Sequence, residues 1–157
     1  MRWSGAAILT SIVLVPATAG AGTRPSWALS AGPGLLGGTD GLVTAHLRLG
    51  PEWVPEQGLG AGLEAGWLCA AQMPVLGVVT ASPTLIYSLG RRGGTSVSLR
   101  AGYTALVGWS EPVVHAGAAL DQDLGHGGRI RFEVRDHIFV RSGTAHAVEV
   151  TVGWVTP

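Results

Sequence analysis

A chain of 157 residues has room for one domain with a moderate core, not for two comfortable ones. Only 13% of it is charged, against a usual share of about 25%, while its apolar share of 46% is ordinary and no run is long enough for a spanning helix. Ten basic residues, all arginine, balance ten acidic ones to a net charge of +0, which excludes the basic footprint of a nucleic-acid binder.

The N-terminus has the layout of a targeting segment. Arg2 makes a positive start, Gly5 to Val15 is a short apolar run, and Ala17-Thr18-Ala19 or Ala19-Gly20-Ala21 offers a small-x-small cleavage site. Spanning a bilayer as a helix takes about 20 apolar residues, and Pro16 ends this run well short of that. Residues 1–21 are therefore expected to be a cleaved secretory signal peptide, and 22–157 the mature domain.

Beyond it the chain alternates with period two. Trp27 to Leu36 reads as a first strand, closed by the turn residues Gly37 to Gly41, and Leu42 to Gly50 as a second, ended by Pro51 to Gln57. In Gly58 to Cys69, large Leu59, Leu63 and Trp67 oppose small Gly60, Gly62 and Gly66. Ala70 to Leu76 is read as a connection. Gly77 to Leu89 follows, with Pro83 expected to force a bulge or a weakly paired position because it has no N–H for the ladder. After Gly90 to Gly94 come Thr95 to Trp109, Val113 to Leu124, Arg129 to Val140 and His146 to Val155, separated by short Gly- and Pro-bearing turns. Eight strands in hairpin succession, with no helical period, predict an all-β, up-and-down topology.

Two barrels share such a pattern and differ in its sign. A soluble ligand-binding barrel has an apolar interior, whereas a membrane barrel wears its apolar face outside. The polar face here is rich in residues too small for a charged coat: Gly60, Gly62, Gly66, Gly102, Gly117, Ser82, Ser96 and Ser98. Its charges come in both signs, Arg48, Glu64, Arg100, Asp121, Arg131, Glu133, Arg135 and Glu149, as an ion-paired lumen requires. The opposite face is nearly free of charge. Asp136 is the exception, expected to be turned away from lipid by a bulge or by a place near the membrane edge. Trp27, Trp53, Trp67, Tyr87, Trp109 and Trp154 lie near strand ends, as interfacial aromatics do.

With its signal peptide, its strand count, the RFEVRD stretch from Arg131 to Asp136 and the closing HAVEVTVGWV strand, the chain resembles the small eight-stranded outer-membrane β-barrels of Gram-negative bacteria, the OmpA/OmpX-like barrel domains, over residues 27–157. The resemblance implies a closed antiparallel transmembrane barrel in the outer membrane, inserted by the barrel-assembly machinery, surrounded by lipid and monomeric. Eight strands enclose barely enough space for side chains, so a structural or surface role without a wide pore is expected.

Chemistry finds little support in the sequence. His46, His115 and His137 share the polar face but sit on different strands without metal-ligand spacing, and no metal or cofactor is expected. Some barrels of this size modify lipid A, the deacylase type through His-x-Ser on one strand; here four residues separate His137 from Ser142, and a non-enzymatic protein is expected. Gly58 to Leu63 is read as small residues in a tight wall and not as a nucleotide fingerprint, since Leu63 replaces the last glycine and no helix follows. Cys69, the single cysteine, reads as a small strand residue.

Overall fold

The structure, a computed structural model, describes residues 25–37, 41–70, 73–125, 127–140 and 145–156, and of 73–76 the backbone alone. Eight strands follow in chain order: β1 Ser26–Gly37, β2 Leu42–Trp53, β3 Gly58–Ala70, β4 Met73–Arg92, β5 Thr95–Leu106, β6 Val113–Asp123, β7 Arg129–Phe139 and β8 Ala145–Thr156. Each pairs antiparallel with the next and β8 returns to β1, so the sheet closes and no edge is left. The signal-peptide reading falls on residues outside those described.

Closure fixes the stagger. The row of paired residues that starts at Ser26 passes through Glu52, Gly62, Thr84, Gly102, His115, His137 and Ala147 and re-enters β1 at Leu36, ten residues from its start. With eight strands this shear tilts them by roughly 40°, within the usual range for barrels. The tightest turn joins β4 to β5, where Gly93 and Gly94, both with positive φ, make a two-residue hairpin of the type that matches strand twist.

Prolines mark where the wall bends. The β1–β8 ladder steps from Ala31–Val152 to Gly34–Glu149 across Gly32 and Pro33, the β2–β3 ladder from Leu49–Ala65 to Glu52–Gly62 across Gly50 and Pro51, and the β4–β5 ladder from Ala81–Ala105 to Thr84–Gly102 across Ser82 and Pro83. In all three the register resumes unshifted and the other side of the strand stays paired. A lumen-facing glycine lies in or beside each gap: a Cβ on Gly32, Gly50 or Gly102 would collide with the carbonyl oxygen of Val150, Leu63 or Pro83 respectively. Pro83 is thus the weakly paired position expected, without a bulge; register shifts occur instead at Cys69/Ala70 and between Ser88 and Arg91.

The boundaries of β2, β4 and β5 differ from the sequence reading. Strand β2 runs through Pro51 to Trp53 because proline there loses its ladder on one side only, and β4 starts at Met73, absorbing most of the expected connection. Strand β5 ends at Leu106, which leaves Trp109 in the following loop.

The barrel's polarity is inverted relative to a water-soluble one. Leu29, Leu47, Leu49, Leu63, Leu85, Leu99, Phe132, Val134, Val150 and Val152 are all exposed on the outer face, while Arg48, Arg131, Arg135, Glu52, Glu133 and Glu149 are among the largest fully buried side chains. Trp27, Trp53, Tyr87 and Trp154 lie toward the end that carries the chain termini, and Trp67 and Trp109 toward the opposite end; all six are exposed. The Trp67 ring lies over Gly77 and the Trp154 ring over Gly128, each covering a glycine's bare backbone.

Asp136 keeps its outward register. Strand β7 runs unbroken against both neighbours, so no bulge turns the residue away; the carboxylate instead accepts a hydrogen bond from His146 Nδ1 at 2.9 Å, on the outer surface toward the loop end. The cross-strand partner, not a local distortion, accommodates the charge.

If backbone approach at the proline gaps sets the wall's curvature, Gly50→Ala must push β3 aside, and a loss of about 1–3 kcal/mol in urea unfolding of the detergent-folded protein is expected. Gly37→Ala, whose Cβ would find its nearest neighbour at 3.4 Å, is expected to stay within about 0.5 kcal/mol. Equal costs for the two would refute the account.

Candidate functional site

The lumen is filled by an ionic lattice in which long side chains are seated beside small ones. Along the paired rows Arg48 neighbours Ser30 and Gly66, Glu64 neighbours Ser82, Arg131 neighbours Gly153, and Gly117 lies between Arg100 and Arg135; Gly50 lies against Glu64 across the gap in the β2–β3 ladder. Each glycine or serine leaves the volume through which the adjacent guanidinium or carboxylate reaches across the barrel.

Toward the terminal end, Arg131 grips Asp121 through Nε at 2.6 Å and Nη2 at 2.8 Å and donates from Nη1 to Glu52 at 2.6 Å. Glu52 also receives both Nη groups of Arg100, at 2.7 and 3.1 Å. In the middle, Arg135 donates to both oxygens of Glu64, at 2.6 and 2.9 Å, and through Nε to Glu133 at 2.6 Å. Arg48 completes this layer with bonds to Glu133 at 3.2 Å and to the Thr151 hydroxyl at 2.8 Å. These forked contacts are what lets a buried charge repay its desolvation.

The loop end is built differently. His46 Nδ1 donates to Glu149 at 2.8 Å, while its Nε2 accepts from the Thr80 hydroxyl at 3.1 Å. His137 Nε2 approaches the other Glu149 oxygen at 3.3 Å. His115 pairs with His137 across β6 and β7, and its two ring nitrogens meet the hydroxyls of Thr84 and Thr104. His46, His137 and Glu149 are all buried, and their ligand atoms lie within 4.8 Å of one another.

All seven residues expected in the lumen network, Arg48, Glu64, Arg100, Arg131, Glu133, Arg135 and Glu149, are buried there, and six of them join the arginine–carboxylate lattice. Glu149 does not: its ion-pair partners are the two histidines. Glu52 was missed, although its carboxylate links Arg100 to Arg131 with no exposure to solvent. The signal was parity with His46 and Arg48, hidden by Pro51, which looked like a strand end. The histidines, separated in sequence, converge because the stagger brings β2, β7 and β8 level at this height. Ser142 lies outside the described residues, and His137 points into the lumen toward Glu149.

Removing one member of the central layer should leave buried charges short of partners. For Arg135→Met, which takes the 2.6 Å partner from both Glu64 and Glu133 and leaves them only the longer contacts to Arg48 and Arg100, a loss of about 3 kcal/mol in urea unfolding is expected. Arg129→Met, at the partly exposed terminal rim 3.7 Å from Asp121, is expected to cost no more than about 1 kcal/mol. Similar losses would mean that the lattice has no special central layer.

No protein-family model matches the sequence, and no curated protein matches it. Solved structures do resemble the fold. Neisserial surface protein A (NspA) superposes with a TM-score of 0.62 at 9% identity, over 84% of this chain and 96% of that one. The N-terminal β-barrel domain of Pseudomonas aeruginosa OprF gives 0.55 at 13%, over 83% and 96%. The outer membrane enzyme PagL gives 0.54 at 16%, over 83% and 99%. The chain thus has the fold of small eight-stranded outer-membrane barrels, in which both enzymatic and other proteins occur.

Proposed function

We propose that this chain is an integral outer-membrane β-barrel protein with a structural or surface role and a lumen closed by its own side chains. The observation that carries the reading is the inversion of polarity: Arg48, Arg131, Arg135, Glu52, Glu133 and Glu149 are sealed inside while leucine, valine and phenylalanine cover the wall. In water such a wall would expose far more apolar surface than a soluble monomer tolerates. In a bilayer it meets hydrocarbon, the closed ladder satisfies the backbone, and the aromatic residues lie where headgroups begin.

A secreted soluble ligand-binding barrel needs an apolar cavity, and the ion-paired lumen gives an apolar ligand nowhere to sit. A lipid A-modifying enzyme needs its catalytic groups at the lipid-facing surface; the inward orientation of His137 favours a non-enzymatic reading. On this reading residues 1–21 direct export, the assembly machinery inserts the barrel, and the protein works as a monomer in outer-membrane lipid.

Carbonate washing is expected to leave the protein in the membrane pellet, and the unboiled protein is expected to migrate differently from the boiled one on a gel. Release by carbonate together with a single mobility would sink membrane residence. In planar bilayers the same protein is expected to show no stable open steps of porin size; persistent large steps would disprove the closed lumen and leave membrane residence standing.

A further inference from the structure

We infer that His46, His137 and Glu149 form a binding site for a borderline divalent transition cation, zinc being the best fit, inside the barrel toward its loop end. The inference rests on lumen geometry and not on membrane residence.

Three observations converge on it. First, the donor set is two imidazoles and a carboxylate, which suits zinc and its neighbours and not calcium or magnesium. In tetrahedral zinc, with ligands at about 2.0–2.2 Å, donor atoms stand about 3.4 Å apart. Glu149 Oε1 is 2.8 Å from His46 Nδ1, Glu149 Oε2 is 3.3 Å from His137 Nε2, and one donor atom from each residue lies within 4.8 Å of the others. Rearrangement of about an ångström seats the ion.

Second, polar atoms at this point lack hydrogen-bond partners. His137 Nε2 and Glu149 Oε2 face one another at 3.3 Å without a satisfactory bond, and the buried hydroxyl of Thr44, one strand beyond Glu149 across Gly34, has no partner among the described residues. Buried groups of this kind call for an explanation, and a cation takes up both the imidazole lone pair and the carboxylate oxygen. Thr44 stands next to Glu149 because Gly34 lies between them; a Cβ on Gly34 would touch both side chains. The Thr44 hydroxyl can thus receive or orient a water in the fourth position.

Third, Glu149 has no arginine partner among the described residues. Glu52, Glu64, Asp121 and Glu133 each have arginine partners, whereas Glu149 has two histidines. A divalent cation would supply at Glu149 the positive charge that arginine supplies to the other lumen carboxylates. A partner outside the coordination shell is also present: when His46 binds through Nδ1, its Nε2–H donates to the Thr80 hydroxyl, a bond that orients the ring.

The test uses the full detergent-folded chain, stripped with a chelator and titrated with cobalt(II) and then zinc. One equivalent of cobalt is expected to bind with the intense visible band of a four-coordinate ion, and zinc to displace it. His137→Gln and Glu149→Gln are each expected to weaken binding about tenfold or more, with folding confirmed by heat-dependent mobility. His146→Gln, which removes the histidine of the outer-surface pair, is expected to leave binding unchanged. Absence of stoichiometric binding by the wild type, wild-type affinity in both lumen variants, or loss in His146→Gln overturns the site. Should either lumen variant fail to fold, X-ray absorption at the zinc edge of the wild type decides: two imidazole nitrogens support the site, and one or none overturns it.

Discussion

A charge sealed inside a barrel eight strands wide has no water to fall back on, and the rest of this structure follows from how that constraint is met. Each guanidinium in the lattice must find carboxylates within hydrogen-bond reach from several directions, because one ion pair seldom repays the desolvation of both partners. Arg131 does so by spanning Asp121 and Glu52, and Arg135 by spanning Glu64 and Glu133. With the Arg100–Glu52 pair, these bonds run between β2, β3, β5, β6 and β7, so the lattice ties together strands that are not neighbours in the sheet. The closed ladder holds the wall as a ring, and the lattice braces it across its diameter.

The space for that bracing comes from residues that contribute nothing to it electrostatically. Gly66 gives way to His46 and Thr80, and Gly102 to the ring of His115; a Cβ at either place would press on those side chains. At Gly32 and Gly50 the absent Cβ lets the neighbouring carbonyl close in, and the proline that follows is spared a ladder bond it could not make. The abundance of glycine, 25 of 157 residues, therefore serves two geometric ends: room for long polar side chains and sharp coiling of the wall. Both ends depend on which face a glycine occupies, not on how many there are.

Alternation made the strands, their order and the charged face legible in the chain, because one face of every strand carries small or ionic residues and the other large apolar ones. It failed where one residue type has two meanings. Pro51 reads as a terminator, yet within a barrel a proline can face an interrupted ladder on one side and remain paired on the other, and that ambiguity hid Glu52. Asp136 looked like a register fault because its partner His146 lies on the next strand, which no local pattern reveals. The meeting of His46, His137 and Glu149 depends on shear, a property of the closed ring that no single strand encodes.

The two ends of the lumen solve the burial of charge with different chemistry. From the terminal end to the middle, carboxylates are held by arginines, whose charge is permanent and whose planar forks fix geometry. At the loop end, Glu149 is held by imidazoles, which can lose a proton and can coordinate a cation, and hydroxyls of Thr80, Thr84 and Thr104 bind the surrounding ring nitrogens. An imidazole–carboxylate layer leaves its charge balance dependent on what occupies it, and it stands nearer the loops, where an ion entering from that side would arrive first. The chemical asymmetry of the lumen therefore lies along its axis, with arginine–carboxylate pairs from the terminal end to the middle and an imidazole–carboxylate layer at the loop end.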